Sequence, residues 1–181
     1  MTVPQKLIGA WRRTGLIIDG LRQVDYCDVL WLQSAHWFAD IRLPLDPVRP
    51  APSDGVAGYF AKEGSFAGLA NWSSPIMTWE HFIDVRANPP LDSNHLHWQN
   101  GGVIERGTKL WKTREVPWAE EWLRLTDDSV EPVVEADDRH VHIIVGDWAI
   151  KIEDERPDGN FLSVRHDRID GEWREVGSVR G

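Results

Sequence analysis

The chain has 181 residues, 41% hydrophobic and 27% charged, ordinary values for a globular protein of one domain that set aside disordered and fibrous classes. Twenty lysines and arginines against 29 aspartates and glutamates leave a net charge of −9, which repels phosphate backbones, so nucleic acid is not an expected partner. Cys27 is the single cysteine and has no disulfide partner, the first residues show no charged-then-apolar leader, and the best apolar run, 143–150, is broken by Asp147; a cytoplasmic protein without a membrane span is the expectation.

In chain order the hydrophobic period is two rather than 3.6 nearly everywhere. Strands are predicted at 7–18 and 26–32, then at 37–43, where Trp37, Ala39, Ile41 and Leu43 alternate with Phe38, Asp40 and Arg42. The segment 44–58 carries four prolines and reads as a loop. Strands follow at 65–72 and 77–85, the latter with Met77, Trp79, His81, Ile83 and Val85 on one face. After a second loop, 87–94 with Pro89-Pro90, come strands at 95–99 and 103–110. Residues 117–125 have the charge order of a short helix, yet Glu121, Leu123 and Leu125 alternate with Trp122 and Arg124, and a strand is preferred. Strands at 140–147, 149–153 and 161–169 complete the set, and Asp19-Gly20, Asn100-Gly101-Gly102, Pro157-Asp158-Gly159-Asn160 and Asp170-Gly171 supply turns. Short strands joined by hairpin turns predict an all-β fold, a single antiparallel up-and-down barrel of about 8–10 strands over residues 1–181, with the two loops capping its ends and a two-sheet sandwich as the alternative.

The opening Leu7-Ile8-Gly9-Ala10-Trp11 resembles the Gly-x-Trp start of the calycin superfamily, the lipocalins, fatty-acid-binding proteins and nitrobindin-like barrels. Phe66-Ala67-Gly68 followed by Trp79 is similar to the middle hairpin of small bacterial lipocalin-like proteins of unassigned function. The resemblance implies a barrel whose floor is closed by Trp11 under an arginine, either Arg124 or Arg165. The Thr-Asp-Tyr motif of classical lipocalins is absent. A nitrobindin-like barrel would need a late haem-binding histidine, for which His166 is the candidate.

Eleven tryptophans, from Trp11 to Trp173, combine large apolar bodies with one N–H each and suit a cavity that grips planar molecules. His81 is the polar member of its row. It is either a core histidine held by a carboxylate or carbonyl, or an imidazole facing a cavity, where partial burial lowers its pKa and favours the neutral base. Glu105 shares parity with Val103. Outward, it pairs with an arginine on the next strand; inward, it requires a partner or a raised pKa, and near His81 it forms an acid/base pair. Alternation favours Asp40 and Arg42 outward, as a solvated pair; inward, they would hold a carboxylate or phenolate. The pairs His95/His97 and His140/His142 have metal-site spacing but fall on faces assigned to solvent, so no metal is expected. No Ser-His-Asp order, Cys-x-x-Cys, Walker loop or dinucleotide glycine motif is present.

The expected function is binding of a small apolar or aromatic molecule without a cofactor, with Trp31, Trp37, Trp79, Trp98 and Trp122 as walls, His81 as polar anchor, and Asp40 and Arg42 in the ligand set. The alternative is a cofactor-independent lyase, isomerase or hydratase in which His81 and Glu105 transfer a proton. A haem barrel using His166, or a metal barrel, is the third class. Barrels host all of these, so the fold by itself does not choose.

Overall fold

The computed structural model describes residues 2–181 except 47, 49–51, 53, 63, 88, 90, 100 and 158. The parts of the two proline-rich loops and of the turns at Asn100 and Asp158 that were read from sequence at those positions lie outside the described residues.

Eight antiparallel strands close on themselves: β1 (Gly9–Ile18), β3 (Cys27–Gln33), β4 (Trp37–Pro44), β5 (Ser65–Ser73), β6 (Ile76–Asp84), β7 (Asp92–Gln99), β8 (Gly102–Trp111) and β9 (Arg114–Arg124), each paired with the next and β9 returning to β1. β2 (Leu21–Arg22) only extends the β1 hairpin, through the Asp19-Gly20 turn with φ of 55° and 77°. Such positive φ at both central residues is what a tight hairpin with right-twisted arms requires. The segment 117–125 is indeed strand, the C-terminal part of β9.

The later strands do not enter the barrel. β10 (Val133–Ala136), β11 (His140–Val145), β12 (Trp148–Asp154), β13 (Phe161–Ile169) and β14 (Glu172–Arg180) form a separate five-stranded antiparallel sheet. It packs on the barrel's outer wall: Val141, Ile143, Val145, Ile150, Ile152 and Phe161 share one apolar core with Leu30, Leu32, Ala39, Ile41, Leu43 and Ile83. Polar clamps fix the join. Arg165 Nη1 donates to Asp28 at 2.8 Å, Ser65 and Ser163 hydroxyls meet at 2.8 Å, and Arg156 donates to the Asp84 and Val85 carbonyls at 2.6 and 3.1 Å. β3 and β4 are consequently buried on both faces.

The barrel floor is closed by the 3-10 turn Gln5–Leu7 and by Trp11, whose indole N–H donates to the Leu7 carbonyl at 2.9 Å. Arg124 supplies the cover expected over Trp11, its guanidinium 5.6 Å from the ring, while Arg165 serves the second sheet. A side chain at Gly9 would meet Thr126 Oγ1 at 2.7 Å and Arg124 Nε at 3.1 Å, so the glycine permits this cover. At the other end the proline-rich segment contains one helix, α1 (Gly55–Ala61), which the sequence reading took as loop. Its Val56 and Phe60, one turn apart, pack on Leu16, Ile18 and Val116 at the rim, with Phe60 edge-on to Trp118 at 5.0 Å.

Candidate functional site

Inside the barrel an aromatic layer supports a charged one. Trp31 stacks on Trp11 (5.6 Å) and meets Trp79 and Trp122 edge-on at 5.7 and 5.5 Å, and Phe38 touches Phe66 and Trp79. Trp31, Phe38, Phe66, Trp79 and Trp122, together with Asp40, Arg42, Asp92 and Glu105, surround one cavity of about 20 Å³, room for about one water-sized group. A wider vestibule of about 130 Å³, lined by Arg13, Asp25, Cys27 and by Ala57 and Phe60 of α1, lies at the barrel end.

Two charged chains run through this interior. In the first, Arg13 holds Asp25 (2.6 Å) and, by a short contact, Glu120 Oε1; the same oxygen accepts from Arg42 Nη1 at 3.1 Å, and Arg42 Nε donates to Asp40 at 3.0 Å. Arg13 lines the vestibule and Arg42 the inner cavity, so the bridge through Glu120 joins the two. In the second, Arg86 and His81 Nδ1 both hold Asp84, the latter at 2.8 Å; His81 Nε2 faces Asp92 at 3.3 Å; and the Asn94 amide donates to Asp92 (2.7 Å) and to Glu105 Oε1 (2.8 Å). Glu105 Oε2 accepts the indole N–H of Trp122 at 3.1 Å.

The electrostatics divide the carboxyls. Burial, with Glu120 and Asp92 nearby, pushes Glu105 well above the usual carboxyl range. Glu120 stands directly opposite it on β9, equally buried, but Arg42 and Arg13 outweigh the desolvation and hold it below that range. Burial also pushes Asp40 up to about 6, helped by Glu120 and opposed by Arg42. At His81 burial acts downward, yet the hydrogen bonds and charges of Asp84 and Asp92 prevail and raise its pKa.

Several sequence expectations are corrected here. Asp40 and Arg42 point inward, because the apolar alternate set on β4, Ala39, Ile41 and Leu43, is claimed by the second sheet rather than by the barrel interior. Trp37 belongs to that outer set, edge-on to Phe82, and is no cavity wall. Trp98 is 42% exposed, with Lys6 Nζ 4.0 Å above its ring. His81 faces inward as read, stacked on Phe66 at 4.4 Å, but Ile83 does not share its face. A bulge opposite Ala67 and Gly68 takes Phe82 out of register, sending Ile83 outward and Asp84 in. The imidazole's pKa is raised, not lowered, since two carboxylates outweigh burial. Glu105 is inward and only 6% exposed.

Arg13, Asp84, Asp92, Asn94 and Glu120 were missed. Parity with Trp11 marks Arg13 and parity with Trp122 marks Glu120, so both signals were present. Asp92 and Asn94 fell in a segment read as loop that is the start of β7. His95, His97 and His140 are exposed. His166 stands on β13 of the outer sheet, and the interior His81 has both nitrogens held by carboxylates. The described residues therefore do not fit the haem site that a nitrobindin-like barrel would imply.

The fold and this interior define an antiparallel up-and-down β-barrel with a charged, tryptophan-walled centre, braced by an outer sheet. Comparison with known proteins returns no match to a family model, a curated protein or a solved structure. Among the described residues no helix is long and apolar enough to cross a membrane.

Proposed function

We propose that the barrel is a calycin-type binding protein for a small aromatic or apolar molecule, seated against Trp31, Trp79 and Trp122. The observation that carries this reading is the convergence of three indoles and four charged or titratable side chains on one interior cavity, an arrangement suited to stacking a flat group and orienting its polar end. As it stands the cavity takes about one water-sized group, so only the ligand's end enters without displacement of the walls. A ring seats by moving Asp92, whose side chain is the more exposed member of the lining charges. The Gly9, Trp11 and Arg124 floor supports the calycin assignment. Titrating tryptophan fluorescence with aromatic acids, aromatic amines, terpenoids and fatty acids tests the reading. Saturable quenching with a matching rise in Tm is expected, and a native protein that none of these compounds quenches or stabilises would overturn it.

A second reading, a proton-transferring lyase, isomerase or hydratase, draws on a specific observation: Glu105 and Glu120, face to face, have pKa values driven in opposite directions. Environments that separate two carboxyls in this way suit one acid and one base. Product analysis on the tightest binders checks it, with turnover expected to fall about 10²- to 10⁴-fold in Glu105→Gln while binding persists.

A further inference from the structure

The charges of the interior do not balance. Its two chains contain six carboxyls, Asp25, Asp40, Asp84, Asp92, Glu105 and Glu120, against the guanidinium groups of Arg13, Arg42 and Arg86 and one imidazole. Among the described residues of these two chains, even with His81 charged, carboxyls outnumber cations by two, and Glu105 is the conspicuous one. It is 6% exposed, it borders the cavity, and both its oxygens accept N–H bonds, from the Asn94 amide and the Trp122 indole. Both donors are neutral, and burial beside Glu120 and Asp92 favours the protonated carboxyl. A cation entering the cavity would favour the ionised form instead.

We propose that the cavity receives the ammonium head of a primary amine, placed against Glu105 and flanked by Asp92 and Asp40. The inference deepens the binding reading above and rests on it. Size, walls and polarity agree. A hole of about 20 Å³ admits an –NH3+ head, which is close to water in size, but not a quaternary ammonium. Its N–H donors have the Glu105 carboxyl to meet, with Asp92 and Asp40 also in the lining. Trp31, Trp79 and Trp122 line the cavity, and indoles are the side chains that best attract organic cations. An anionic head would instead enter beside three acids, where the one lining cation, Arg42, is already held by Asp40 and Glu120. Because burial raises the pKa values of Asp40 and Glu105, a cation that ionises them releases protons, and its affinity rises with pH.

Calorimetric titration of the whole protein with methylammonium chloride, at constant ionic strength and in two buffers of different ionisation enthalpy, tests the proposal. Saturable binding is expected, tightening from pH 5.5 to 7.5 with proton release. Tetramethylammonium should bind at least about tenfold more weakly, and Glu105→Gln should weaken methylammonium about tenfold or more, the usual loss for a charge-assisted hydrogen bond. Asp92→Asn gives a second reading should Glu105→Gln fail to fold, with loss again expected. If neutral or acidic aromatics bind while methylammonium does not, or if folded Glu105→Gln binds it unchanged, the proposal falls and the binding reading stands. If nothing binds, both fall.

Discussion

At the residue scale the interior is governed by which charges are paired. Glu120 accepts from two arginines in a nearly water-free site, and removing a partner of a buried ion pair costs more than the pair contributes, because the remaining charge stays buried. Glu120→Gln should therefore lower stability by about 3–5 kcal/mol in urea unfolding; a change below about 1 kcal/mol would show that water reaches Arg13 and Arg42. His81 allows a signed test. Its folded pKa lies above the ordinary 6.5, so the stability it contributes is fully present below pH 6.5 and is lost as pH rises through the folded value. The destabilisation of His81→Phe, about 3 kcal/mol at pH 5.5 by the same buried-pair argument, should shrink by pH 8.5. A difference independent of pH would mean that the folded imidazole titrates at its ordinary value, and one that grows with pH that it is held neutral.

At the scale of elements, β6 shows how a single extra residue redirects a strand. The alternation from Met77 to Val85 implied one inward face, and it holds as far as His81. Past that point the bulge at Phe82 exchanges the faces, which brings Asp84 beside His81 and gives Ile83 to the outer core. The bulge leaves Gly68 no room: a Cβ there would sit 1.8 Å from the Glu80 carbonyl oxygen. Gly68→Ala should destabilise by about 3 kcal/mol or more, beyond ordinary overpacking, since backbone rather than a flexible side chain stands in the way. A thermal melt within about 2 °C of the parent would place the strand differently. α1 illustrates the opposite difficulty. Seven residues among prolines and glycines have little helical signal of their own, and it is the rim formed by Leu16, Ile18, Val116 and Trp118 that gives Val56 and Phe60 a surface to cover.

For the whole molecule, the decisive feature is that barrel and outer sheet share one apolar core. Ile150, on β12 of the outer sheet and fully buried, lies in that core with Leu30 and Ile41 of the barrel. Ile150→Ala should cost about 2–5 kcal/mol. It should also lower the melting of the barrel interior, followed by near-UV circular dichroism of its tryptophans, in step with global secondary structure. A barrel transition left unchanged by Ile150→Ala would show that the two layers unfold independently.

The chain by itself determined the all-β character, most strand positions and the inward aim of His81, because the side-chain period of two and the turn residues are local properties, while the Gly9 and Trp11 floor came from a resemblance rather than from periodicity. Of the five tryptophans read as walls, Trp31, Trp79 and Trp122 line the interior cavity. Only the tertiary structure decided which face of β4 is the interior. Alternation distinguishes a strand's two faces when one meets water, and here both are buried, one by the barrel contents and one by a sheet made almost 100 residues later. Asp40 and Arg42 looked like a surface pair for that reason. Glu120 and Arg13 likewise acquire meaning only from each other, since a buried charge is recognised by a partner that the fold brings from 107 residues away.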